Sequence, residues 1–146
     1  MKIAHVVSDL AFAPQLKPEE IQQVAAAGFK GIVNNRPDNE ESGQPSSAEI
    51  QAAAQRCGLR YVHIPVVPGR IGDGDVAAFE QAMHELPGPL LAFCRSGMRA
   101  ASLWALAEAK RNRADEIIAA AAAAGYDLQG LRPRLAAAAE HAAKSA

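Results

Sequence analysis

Short apolar runs alternate along the chain with longer segments whose apolar residues recur every three or four positions, which predicts strands and helices in turn. Ile3 to Val7 is a short β-branched run and reads as a strand. Lys17-Pro18-Glu19-Glu20 opens a helix, because proline suits the first helical position and the glutamates suit the positive end of the helix dipole. Ile21 and Val24 fall on one face of it, and Gly28 is its stop. Gly31 to Asn34 is a second strand, Asn35-Arg36-Pro37-Asp38-Asn39 a turn by composition, and Glu40 to Pro45 a polar loop. Ser46, Ser47 and Glu49 open the next helix and Gly58 closes it. Tyr61 to Val67 is a third strand, with Pro65 constraining its end. Asp75 is expected to cap a helix over Val76, Phe79 and Met83 that Pro87-Gly88-Pro89 ends. Leu90 to Phe93 is an unbroken apolar run, the pattern of a strand buried on both faces. Ala100 to Lys110 is helical, and from Ala114 onward two alanine-rich helices flank Gly125 to Arg132. The order predicts an α/β layer structure with a mostly parallel sheet. Residues 1–146 read as one domain, with 114–146 a helical extension that packs on it or forms a dimer surface.

Composition narrows this picture. Apolar residues make up 49% of the 146 and aromatics only 5%, so the core must be built from Ala, Val, Leu and Ile. With 15 basic against 16 acidic residues the net charge is -1, which argues against nucleic acid as a partner. No apolar stretch reaches the roughly 18 residues of a membrane span, and Met1 to Asp9 is too short for a secretory signal. Two cysteines do not make a secreted disulfide framework. These readings together give a cytoplasmic protein without a membrane partner. His5, His63, His84 and His141 lack ligand spacing, so neither a metal nor another cofactor is expected. His63 and Trp104 read as structural, and Cys57, at a helix end, as a bystander thiol.

The segment that changes the picture is Cys94-Arg95-Ser96-Gly97-Met98-Arg99, between the apolar strand and a helix. The backbone N–H groups of such a loop can converge at the helix start, where the dipole adds partial positive charge. Arg95 and Arg99 add two full charges, and Gly97 allows the backbone to bend without a Cβ clash. These features are expected to favour the thiolate form of Cys94 and to hold an anionic substrate against residues 95 to 99. Arg36 leaves a strand at the edge where α/β folds bind ligands, and reads either as a binding group for the anionic end of a donor or as a solvated turn residue. Asn35 and Asp38 read mainly as turn residues.

Cys94-Arg95-Ser96-Gly97-Met98-Arg99 resembles the active-site loop of rhodanese-type sulfurtransferases. The flanks resemble something else. Gly28-Phe29-Lys30-Gly31-Ile32-Val33-Asn34-Asn35-Arg36-Pro37-Asp38 and His63-Ile64-Pro65-Val66 are similar to strands and turns of dual-specificity-phosphatase-like proteins. The combination resembles a bacterial family with a phosphatase-like fold and a rhodanese-like loop. That family also occurs fused to metallo-β-lactamase-like persulfide dioxygenases, in proteins called β-lactamase hydrolase-like. The resemblance covers residues 3 to 110. It implies a three-layer phosphatase-like fold with a helical C-terminal region, and Cys94 and Arg99 as catalytic residues. It also implies a role in hydrogen sulfide detoxification beside a persulfide dioxygenase.

Loop length separates sulfur transfer from phosphate transfer. Cysteine phosphatases as a family place five residues between Cys and Arg, and this chain places four. Phe93 stands where they carry a histidine and Ala100 where they carry Ser or Thr. Where small phosphatases of this fold carry a general acid, this chain has Val67 and Pro68; Asp73 is the remaining weak candidate. The expectation is therefore a sulfurtransferase working through a Cys94 persulfide, with thiosulfate or glutathione persulfide as donor and glutathione or another thiol as acceptor. The alternatives are a phosphatase working through a Cys94 phosphocysteine, and a non-catalytic module that carries or senses sulfur.

Overall fold

A computed structural model describes residues 1–145. Strands β1 (Ala4–Val7), β2 (Leu10–Ala13), β3 (Gly31–Asn34), β4 (Arg60–His63) and β5 (Leu90–Phe93) form one sheet in the order β1-β2-β5-β3-β4. β2, β5, β3 and β4 run parallel, and β1 is an antiparallel edge strand. β5 is central, and its alternation explains its composition. Leu91 and Phe93 pack towards α1 (Ile21–Ala26) and α2 (Ser47–Arg56), whereas Leu90 and Ala92 pack towards the helices of the other face. That other face carries α3 (Asp73–Glu85), α4 (Met98–Glu108), α5 (Ala114–Ala123) and α6 (Arg132–Ser145). The architecture is the expected α/β one, with a mostly parallel sheet between helical layers.

Four details differ from the sequence reading, each for a physical reason. β2 was not expected: Leu10-Ala11-Phe12-Ala13 is short, half alanine and only two residues beyond β1. Alanine is a weak strand former, yet β2 is buried throughout between β1 and β5. β4 ends at His63 instead of Val67. Beyond it Ile64 and Val66 still donate their N–H groups to Asn34 O and Asn35 O, but Pro65 between them has none to give. α3 begins at Asp73 with Gly72 as its N-cap, so Asp75 is not the cap residue. Its carboxylate reaches back from the third helical position to accept the Gly72 N–H at 2.9 Å, the N3 half of a capping box. α4 starts at Met98, two residues earlier than expected, so that Arg99 belongs to its first turn.

α4 is buried continuously from Arg99 to Ala107. The alanine-rich tail explains this: α5 and α6 pack on α4 and on each other, and α5 also reaches β1. Small side chains on facing helices allow that close approach. The tail thus encloses the helix that follows the Cys94 loop. Among the described residues no helix is long and apolar enough to cross a membrane.

Candidate active site

The parallel strands deliver three chain segments to one edge of the sheet: Cys94 after β5, Asn35-Arg36 after β3, and Pro14-Gln15 after β2. Cys94 is only 1% exposed. Its Sγ accepts the Gly97 N–H at 3.1 Å. Gly97 is the N-cap of α4 and has φ +96°, a left-handed conformation that glycine adopts freely. The loop is held from two sides. Gln15 N–H donates to Arg95 O at 3.1 Å, and Ser102 Oγ donates to Met98 O at 2.8 Å. The expected ring of amides around the sulfur is only partly formed. Met98 N–H turns to Ser96 Oγ at 3.3 Å, and the Arg95 and Ser96 amides meet no protein acceptor among the described residues.

The arginines divide their work. Arg99 is 9% exposed and grips Glu40 with both terminal nitrogens, Nη1 to Oε2 at 2.7 Å and Nη2 to Oε1 at 2.9 Å. Nη1 also donates to Val66 O at 2.9 Å. Burial alone would loosen its proton, but the Glu40 carboxylate and the Cys94 sulfur outweigh burial and hold Arg99 above its ordinary pKa. Glu40 is pushed the other way: the hydrogen bond from Arg99 exceeds the effect of burial, Arg36 adds to it, and the carboxyl lies below its usual range. Arg36, read from sequence either as a group binding the donor's anionic end or as a solvated turn residue, is 2% exposed, with Nε on Glu40 at 2.8 Å, Nη1 on Gln15 Oε1 at 3.0 Å and Nη2 on Glu41 at 3.4 Å. Each nitrogen of its fork has a partner within the protein, and through Nε it positions Glu40. Arg95 lies on the rim, its side chain 68% exposed and paired with Glu41 at 3.2 Å. Ser96 and Met98 are also exposed there.

The remaining expected residues scatter. Asn35 donates Nδ2 to Ile64 O at 3.0 Å and is fully buried, with its Oδ1 unpartnered in the protein. Asp38 accepts the Ser47 N–H at 2.7 Å and so stabilises the start of α2. His63 Nε2 lies 2.8 Å from Arg36 O, a structural contact. Asp73 opens α3 and lines a groove with Leu106 and Lys110. Trp104 packs at 6.2 Å from Phe12.

Glu40 and Tyr126, like Gln15 and Glu41, escaped the sequence reading. Glu40 stands four positions after Arg36, a spacing that invites an ion pair, but Arg99 is 59 residues away. Tyr126 comes from the tail: a Cβ on Gly97 would run into its hydroxyl, and its ring meets Phe12 edge-on at 6.0 Å. Burial first, and the charge of Cys94 second, raise its pKa above the ordinary phenol value. Its one sequence signal is that it breaks the alanine run.

Comparison with known proteins places this site in context. The β-lactamase hydrolase-like protein of Xylella fastidiosa (strain Temecula1) is 40% identical over 130 residues, which cover 88% of this chain and 30% of that protein. The chain therefore spans under a third of the length of that relative. A crystal structure from Neisseria meningitidis, described as a candidate phosphatase, has a TM-score of 0.86 at 38% identity and covers 94% of this chain and 99% of that one. A kinase associated phosphatase, solved with its catalytic site cysteine replaced by serine, has a TM-score of 0.71 at 16% identity, covers 92% and 86% of the two chains, and shares the fold. The family model for the phosphatase-like domain of β-lactamase hydrolase-like proteins matches residues 2–111, a span that holds the whole Cys94 loop and its Glu40 partner, and the chain belongs to that family.

Proposed function

We propose that this domain transfers sulfane sulfur through Cys94. The observation that carries the reading is the state of Glu40. It is the carboxylate that grips Arg99, and two arginines hold it as an anion, so it has no proton to give a leaving group. Among the described residues Asp73 makes no hydrogen bond or ion pair to the Cys94 loop. A cysteine nucleophile in this setting suits a leaving group that departs without a proton, as sulfite does.

The steps balance. The Cys94 thiolate attacks the outer sulfur of thiosulfate, the S–S bond of the donor breaks, and sulfite leaves with the electron pair. Cys94 is then a persulfide anion, positioned to accept the Arg95 and Ser96 amides in addition to the Gly97 contact that Sγ already makes. A thiol such as glutathione, as its thiolate, attacks the outer sulfur and leaves as its own persulfide, which restores the Cys94 thiolate. That product is the substrate class of a persulfide dioxygenase, the partner expected for this family. The proposal gives ping-pong kinetics, with kcat/KM for each substrate independent of the other.

A second reading has the comparisons on its side. The family model carries the word phosphatase, and so does the description of the Neisseria protein. Under that reading Cys94 attacks phosphorus and a phosphocysteine is hydrolysed by water. Thiosulfate with a thiol acceptor, assayed beside para-nitrophenyl phosphate and with Cys94→Ser as blank, separates the two. Sulfur transfer without phosphate release supports the first reading, and the converse replaces it with the second.

A further inference from the structure

The C-terminal helices supply more than a cover for α4. α5 ends in a reciprocal pair of backbone bonds, Tyr126 N–H to Ala121 O at 2.9 Å and Gly125 N–H to Ala122 O at 3.0 Å, with Gly125 at φ +98°. This helix stop fixes where the next residue leaves the helix. Tyr126 is that residue. Its ring is pinned edge-on against Phe12 of β2 at 6.0 Å and 89°. Its hydroxyl occupies the space where a side chain on Gly97 would stand. Gly97 therefore serves two neighbours, with its N–H on the Cys94 sulfur and its bare α-carbon against the phenol. The hydroxyl itself makes no hydrogen bond to another described residue. A crevice of about 300 Å³ opens beside it, lined by Lys2, Pro14, Ser96, Met98 and Tyr126.

We propose that Tyr126 is a positioning residue whose hydroxyl donates a hydrogen bond to the terminal atom that Cys94 carries, the outer sulfur of the persulfide. The inference rests on Cys94 being the nucleophile of the transfer proposed above. A phenol held above its ordinary pKa keeps its proton at neutral pH and is a donor there. An anionic sulfur is the acceptor that such a donor lacks within the protein. The donor comes from a part of the chain beyond the residues that the family model matches.

The test is Tyr126→Phe in the full chain, which keeps the ring on Phe12 and removes only the hydroxyl. Cys94 is loaded with thiosulfate and titrated back with sulfite, which gives the equilibrium constant for loading. The expected result is a roughly tenfold fall in that constant, the size of one hydrogen bond to a charged acceptor, at an unchanged melting temperature. A merely structural tyrosine would shift the melt and leave the constant alone, and a loading constant within twofold of wild type overturns the proposal. If wild type takes up no sulfur but hydrolyses para-nitrophenyl phosphate, sulfur transfer is lost while the tyrosine is still tested. A tenfold lower kcat in Tyr126→Phe then supports a donor to the bound group, and an equal kcat overturns it. If wild type does neither, Cys94 is not the nucleophile and the inference falls with it.

Discussion

Cys57 and Cys94 are the same chemical group, one closing a helix and the other preceding a different one, and the contrast shows what makes a thiol useful. Cys57 is the C-cap of α2, half-buried, at the negative end of the helix dipole. Cys94 precedes the N-cap of α4 and accepts the Gly97 N–H, with Arg99 in the first turn of the same helix. The central parallel strand points Cys94 at the sheet edge where β2 and β3 also end, so that Gln15, Arg36 and Glu40 can assemble around it. Among the described residues the end of α2 gathers no comparable set of partners. What separates the two thiols is therefore long-range placement, to which local sequence contributes only the loop.

The contrast can be broken most forcefully by exchanging the sulfur itself. Cys94→Ser is expected to lower sulfur transfer by at least about 1000-fold, as loss of a nucleophile does, whereas Cys57→Ser stays within twofold of wild type; steady-state assays of both variants settle it. Next in size is Arg99→Lys, which keeps a charge but loses the two-pronged grip on Glu40. A fall of about 100-fold in kcat/KM is expected, comparable to loss of one preorganised donor.

Gly97→Ala sharpens the same point. The added methyl meets the Tyr126 hydroxyl and must adopt φ +96°. Its left-handed backbone alone costs about 1–2 kcal/mol, measurable by urea unfolding, and turnover should fall with it. The smallest effect is expected from Glu40→Gln, and it depends on pH. The folded pKa of Glu40 lies below its ordinary 4.5, chiefly because of the Arg99 hydrogen bond. Its contribution to stability is therefore complete above the unfolded value and is lost as pH falls through the folded one. Melting temperature should drop more steeply in wild type than in Glu40→Gln below pH 4.5, and the two curves should run parallel near neutrality.

Much of the scaffold was legible because its signals are local. β3 and β5 occupy the stretches that their apolar runs marked, and Ser46 caps α2 by accepting the Glu49 N–H at 3.1 Å. β2 was not legible, since its stability comes from strands on both sides and not from its own alanines. The same division holds at the site. The Cys94 loop is contiguous and could be read, while Glu40 and Tyr126 meet it only through folding. Arg36 divides the same way: its charge and its place at the strand end were visible, but the carboxylates that pair with it were not.

Peptide mass spectrometry after treatment with thiosulfate, read at both cysteines of the wild-type chain, tests sulfur transfer at its first step. The expected result is a gain of one sulfur atom on the Cys94 peptide, removable by added thiol, with the Cys57 peptide unchanged. An unmodified Cys94 in a protein that cleaves para-nitrophenyl phosphate, with that activity lost in Cys94→Ser, would contradict it.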